Sequence, residues 1–357
     1  MNEDDFEDLP TREKRTPRRS EAIGRRAGKL RQAAPPRPPA PDSAAEVDAS
    51  GGVLPGEALV IAITRGQCEV EFDGRFELCH LPKALTLAQQ SELAVGDRLR
   101  LIRRPSGELV VSQVLPRWSR LSRPDPLLVH RERVLAANLD LAIVVTALRK
   151  PALATGLLDR FLVALAHGGV PAAVVVNKYD LAEADERADP ELARLAPYRA
   201  LAIPFLFTSV KTGRGIPDLL ALLAGKTVVF VGHSGVGKSS LLGALAPELD
   251  VRVGEVSTLN SRGRHTTTRA RIYRLPGDTR IIDTPGIREF GLWQLSRAEL
   301  AGYFEEFGPL SQSCRFNDCS HSHEPNCAVR DAAENGTLDR GRYETYLRIF
   351  ESLDAER

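Results

Sequence analysis

The octapeptide Gly232-His233-Ser234-Gly235-Val236-Gly237-Lys238-Ser239 has the spacing G-x-x-x-x-G-K-S, with an apolar run at 227–231 before it and a helical stretch from Ser240 after it. Its glycines let the backbone curl until successive N–H groups point at phosphate oxygens, and the helix that follows adds its positive end. Lys238 then reaches the β and γ phosphates, and the Ser239 hydroxyl is a ligand for Mg²⁺. Asp283-Thr284-Pro285-Gly286 follows the apolar run 280–282. There a nucleoside triphosphatase places the Asp of its magnesium shell, and the Gly offers an N–H to the γ-phosphate. Between the two lies Arg262-Gly263-Arg264-His265-Thr266-Thr267-Thr268, polar and without apolar periodicity. This is the place for a switch loop whose Thr closes on Mg²⁺, with Thr267 the first candidate and Thr266 the second. A solvated β edge is the plain alternative.

A second constellation reads the base. Asn177-Lys178-Tyr179-Asp180 follows the apolar run 173–176, at the carboxyl end of a strand where α/β proteins collect their ligands. A carboxylate there accepts both N1–H and the exocyclic N–H of guanine, a pair of donors that adenine lacks. Asp180 therefore selects GTP, Asn177 ties neighbouring loops, and the Lys178 stem lies along the ring. Ser209-Val210-Lys211, after the run 205–208, brings backbone N–H groups to the guanine oxygen. The base motifs precede the phosphate motifs, the reverse of the usual order in GTPases. One G domain accommodates both only if its chain is circularly permuted, which closely spaced surface termini permit.

Cys314, Cys319, His321 and Cys327 give C-x-x-x-x-C-x-H-x-x-x-x-x-C, three thiolates and an imidazole for one tetrahedral structural Zn²⁺. His323 is a competing nitrogen donor. Cys68 and Cys79 read as small core hydrophobes. Five cysteines in 357 residues are too few for a disulfide framework.

The elements that must position these groups fall into four stretches. Residues 1–50 form a charged, Pro-rich arm with almost no large apolar residues, too poor in them to fold alone. Residues 53–118 hold five short β-type runs (59–64, 68–72, 76–78, 97–102 and 109–114), with Asp73-Gly74 as a hairpin signal. They suit an OB-type RNA-binding barrel, and an SH3-like barrel fits nearly as well. Residues 121–290 alternate strands and helices as an α/β domain with a mainly parallel sheet, and 291–357 read as a mostly helical zinc-binding domain. No apolar stretch is long enough to cross a membrane, and the acidic N-terminus is unlike an export signal, so a cytoplasmic location is expected; a monomer is expected as well.

The net charge of +1 argues against nucleic acid until it is resolved by segment. Residues 12–37 carry +8 and residues 98–123 carry +6, leaving −13 for the rest. The second segment holds seven arginines (98, 100, 103, 104, 117, 120 and 123) against Glu108 alone. On a barrel face they form a track for RNA phosphates or a solvated surface.

With these motifs, together with Ala136-Ala137-Asn138-Leu139-Asp140, SVKTG, GRHTTT and DTPGIREFGLW, the chain from about 53 to 350 resembles the RsgA (YjeQ) family of circularly permuted ribosome-assembly GTPases. The resemblance implies an OB barrel, a permuted G domain and a zinc domain. It also implies GTP hydrolysis stimulated by the small (30S) ribosomal subunit late in its maturation, with rRNA as partner. It favours His321 over His323. Ile287 stands where a Ras-like enzyme has a water-orienting Gln, so intrinsic hydrolysis is expected to be slow, and His265 is the candidate to position water. Two other readings stand beside this one: a nucleotide-gated rRNA checkpoint with little dependence on turnover, and a large-subunit assembly GTPase.

Overall fold

The computed structural model describes residues 52–64, 66–82, 93–125, 132–246, 270–275, 277–283, 292 and 294–355. The expected arm 1–50, the switch residues His265, Thr266 and Thr267, and Gly286 of DTPG lie outside the described residues.

Strands β1 (Gly52–Val53), β2 (Ala58–Thr64), β3 (Gln67–Phe72), β4 (Arg75–His80), β5 (Arg98–Arg103) and β6 (Leu109–Val114) build the first unit. β2 to β6 close in the order β2-β3-β4-β6-β5-β2, with β4 and β6 parallel and the other pairs antiparallel. That Greek-key closure of five strands is the OB arrangement and removes the SH3-like alternative. Asp73 and Gly74 both take positive φ, as a two-residue turn matched to strand twist requires. Cys68 and Cys79 face each other across β3 and β4, fully buried, as core residues.

A two-stranded sheet follows, β7 (Arg120–Pro124) with β8 (Glu132–Ala137). The α/β unit comprises β9 (Leu141–Ala147), helix α1 (Thr155–His167), β10 (Ala172–Asn177), β11 (Phe205–Phe207), α2 (Ile216–Leu223), β12 (Thr227–Val231), α3 (Lys238–Leu245), β13 (Arg271–Leu275) and β14 (Thr279–Asp283). Its strand order is β13-β14-β12-β9-β10-β11. From β14 to β11 every pair is parallel, and β13 adds an antiparallel edge. β9, β10 and β12 are buried along their whole length, so each reads as an unbroken apolar run. One apolar cluster covers each face of this sheet.

β13 also pairs with β2 of the barrel through Arg271 and Ala62, which joins the two units into one twelve-stranded sheet. The C-terminal region is helical, with α4 (Ala328–Glu334) and α5 (Arg340–Ala355). α5 docks on α1 through Arg342, which lies 2.7 Å from Asp159 Oδ1 and also reaches Glu306, between the rings of Tyr198 and Phe304. No helix among the described residues is long and apolar enough to cross a membrane.

Candidate functional site

Parallel strands send their following loops to the same edge of a sheet, and that is how motifs distant in the chain meet here. The phosphate loop leaves β12, Lys178-Tyr179-Asp180 leaves β10, Ser209-Val210-Lys211 follows β11, and Asp283 ends β14. Gly232 has φ +142°, and a Cβ there would lie 2.1 Å from the Val145 carbonyl oxygen. Gly237, the N-cap of α3, has φ +99°, and a Cβ there would lie 2.3 Å from Asn177 Nδ2. The second glycine is thus what lets the base motif close on the phosphate loop.

Asn177 carries that contact. Its Nδ2 donates to the Val236 carbonyl at 3.0 Å, while its Oδ1 accepts from Thr208 Oγ1 at 3.3 Å, all of it buried. Lys178 takes a left-handed backbone, and its Nζ donates to the Gly235 carbonyl at 2.7 Å and to that of Lys150. Tyr179 is buried under the Arg214 guanidinium, 3.9 Å from its ring centroid. Asp180 accepts from Ser209 Oγ at 2.6 Å, and Lys211 Nζ stands 4.0 Å from its other oxygen. Val210 is exposed beside them. Around the phosphate loop, Lys238 Nζ donates to the Gly232 and His233 carbonyls, both at 2.8 Å. His233 Nδ1 donates to the Ser234 carbonyl at 2.8 Å. Val236 is buried, and Ser239 and Ser240 are exposed on the first turn of α3. β12 and β14 are neighbours, so Ser239 and Asp283 share the edge where Mg²⁺ is required.

The Cys/His cluster closes as a metal site. Single ligand atoms of Cys314, Cys319, His321 and Cys327 all lie within 4.8 Å of one another. His321 Nδ1 is 3.6 Å from Cys314 Sγ and 3.5 Å from Cys327 Sγ, and the two sulfurs are 4.0 Å apart. A tetrahedral Zn²⁺ with bonds of about 2.3 Å to sulfur and about 2.0 Å to nitrogen needs nearly these separations. His323 is turned outward, its Nδ1 2.8 Å from Ser322 Oγ. Burial holds the His321 imidazole below its usual range and so favours the neutral, ligating form.

Ser311, which sequence reasoning missed, settles the tautomer. Its Oγ donates to the Phe307 carbonyl at 2.7 Å, so toward His321 Nε2, 3.1 Å away, it acts as acceptor. Nε2 then bears the proton, and Nδ1 keeps its lone pair facing the sulfurs. Ser311→Ala is expected to weaken zinc retention by about 10- to 100-fold, read as faster metal loss to a chelator dye. Unchanged release would show that Ser311 does not orient the ligand.

Five arginines of the run have carboxylate partners in the structure. Arg98 pairs with Glu57, Arg103 with Glu77, Arg104 with Glu108, Arg117 with Asp97 and Arg120 with Glu132. The Asp97–Arg117 pair closes within the barrel segment, and the buried Asn138, just before β9, bonds to the Gly96 carbonyl and the Trp118 N–H and so ties the barrel to the α/β unit.

Comparison with known proteins agrees with this geometry. A family model described as RsgA GTPase matches residues 114–293. The small ribosomal subunit biogenesis GTPase RsgA of Pseudomonas fluorescens (strain SBW25) is 41% identical over 318 residues, covering 87% of this chain and 90% of that protein. The chain belongs to the RsgA GTPase family. An RsgA of the same description from Haemophilus influenzae is 36% identical, over 86% of this chain and 88% of that one. YjeQ from Thermotoga maritima superposes with a TM-score of 0.67 at 33% identity, covering 84% of this chain and 99% of that one. YloQ, described as a circularly permuted GTPase, gives 0.66 at 26% identity, covering 88% and 99%. This RsgA-family chain is therefore a GTP-hydrolysing enzyme with a circularly permuted P-loop domain, a five-stranded N-terminal barrel and a C-terminal cluster that fits zinc.

Proposed function

We propose that this GTPase acts on the small ribosomal subunit late in its maturation, binds its rRNA as a monomer in the cytoplasm, and leaves after subunit-stimulated GTP hydrolysis. The observation that carries the nucleotide reading is the direct bond from Asn177 of the base motif to Val236 of the phosphate loop. The names of the relatives supply the ribosomal context.

In this reading the phosphate loop, 232–239, cradles the phosphates with its N–H groups, and Lys238 leaves the loop carbonyls to reach the β and γ oxygens. Asp180 accepts the two guanine N–H groups, Lys178 and Tyr179 flank the base, and Ser209-Val210-Lys211 closes over its oxygen. Ser240 and Gly286 add contacts from the helix start and the DTPG turn. Ser239, Thr267 and Asp283 would hold Mg²⁺, which would supply the charge that neutralises the transferred phosphate. His265 positions the attacking water, in place of the Gln that Ile287 displaces. The boundaries 53–118, 121–290 and 291–357 divide the labour among RNA contact, hydrolysis and a zinc-stapled support.

The test is GTP turnover with and without purified small subunits. Wild-type turnover is expected to rise on their addition. Lys238→Ala is expected to lower turnover by about 10²-fold or more, and His265→Ala to lose the stimulated part while still binding GTP. Turnover indifferent to small subunits, or raised as much by large ones, would overturn the assignment.

A further inference from the structure

β13 and β14 form a hairpin whose two outer ends run into the phosphate chemistry. The chain enters β13 from the segment that carries His265 and Thr267, and it leaves β14 at Asp283. Arg271 at the start of β13 stands directly opposite Asp283. The barrel grips this hairpin through charge. Glu69 on β3 pairs with Arg271 at 3.1 Å. Glu71 on β3 accepts from Arg274 on β13 and lies 3.7 Å from Arg280 on β14, with its side chain 10% exposed.

Two features make Glu71 more than a surface partner. Arg274 and Arg280 are directly opposite each other in the hairpin ladder, an arrangement in which like charges repel. Glu71 is the counter-charge between them, and it is supplied by the other unit. Its second oxygen, and Arg280 Nε, are shielded from solvent and have no hydrogen-bond partner among the described residues. Such a contact depends steeply on distance, because few other groups compensate when it shifts. Nearby, the Gly96 backbone of the barrel approaches the Ile282 side chain, so close that a Cβ on Gly96 would lie 3.2 Å from Ile282 Cδ1. Ile282 is the residue before Asp283.

We propose that Glu71 is a positioning residue that transmits engagement of the barrel to Asp283, and so to the γ-phosphate, through the β13–β14 hairpin. The inference rests on the functional reading above. A displacement of β3 by RNA alters the balance between the two arginines. The two-stranded ladder carries that change to its open end, where Arg271 stands opposite Asp283.

Glu71→Gln keeps the shape and removes the charge. Small-subunit-stimulated kcat is expected to fall about tenfold, within the usual range for coupling between sites. Subunit-free turnover, GTP affinity and the half-saturating small-subunit concentration stay within about twofold, a split that a general loss of structure would not produce. Arg274→Gln, at a side chain 45% exposed, tests the same contact from the hairpin and is expected to lose stimulation in the same sense. The double variant is expected to be no worse than Glu71→Gln. Full stimulation in Glu71→Gln, loss of GTP or subunit affinity alongside it, or losses that multiply in the double variant would each overturn the inference. A wild type that small subunits fail to stimulate would instead sink the functional reading.

Discussion

Asp180→Asn is expected to cost this enzyme about 10²- to 10⁴-fold in GTP affinity. In the structure the Asp180 carboxylate is oriented by Ser209 Oγ at 2.6 Å, with Lys211 Nζ 4.0 Å from its other oxygen. In the proposed reading it accepts two guanine N–H groups, each bond to a charged acceptor contributing about 1.5–3 kcal/mol. An amide in its place can accept at one position, but at the other it sets a donor against a donor. The same change suits a base with an oxygen where guanine has its exocyclic amine, so xanthosine triphosphate is expected to gain what GTP loses. Titration of both nucleotides against the variant checks the prediction. Equal weakening of both, or no weakening, would remove Asp180 from base recognition.

Arg342→Met is expected to destabilise the join between α1 and α5 by about 3–5 kcal/mol, because it leaves a buried carboxylate without its partner. Asp159 is 1% exposed and Arg342 3% exposed. Burial pushes the Asp159 carboxyl up to about 6 even with the guanidinium beside it, and removing that charge raises it further. The native variant then holds a proton that the unfolded chain releases near pH 4, so its stability falls as pH rises through that window. The deficit relative to wild type is therefore expected to be smaller at pH 5 than at pH 8. Denaturant melts at the two pH values measure it, and a deficit independent of pH would mean that Asp159 is not the group left unpaired.

The legibility of this chain divides by the kind of constraint. Phosphate and guanine demand particular residue types at fixed spacing, so 232–239, 177–180 and 209–211 stand out with no structure at hand, and so do the four residues of the Cys/His cluster. The buried strands β9, β10 and β12 are unbroken apolar runs and read easily. β13, β7 and β8 do not. Arg271 and Arg274, Arg120 and Arg123, and Glu132 and Arg133 interrupt their apolar alternation, and these strands exist because distant partners pair with them. Ser311 was invisible for the same reason, since nothing local marks a serine as the acceptor of a histidine ten residues on.

The arginine run shows most directly where local reading stops. Along the chain, residues 98–123 look like unneutralised positive charge beside Glu108. In space, Glu57, Glu77, Asp97 and Glu132 come to four of those arginines, from as far as 41 residues away. By itself the sequence pointed to GTP, to a Cys/His cluster that fits zinc, to the permuted order and to the class of each unit, because covalent spacing sets what a short loop can bind. The tertiary structure decided which charges stay open to a partner, which barrel closes, and how that barrel is fastened to the hairpin beside Asp283. Those depend on Coulomb and packing contacts between residues far apart in the chain, and such contacts exist only once the sheet has assembled.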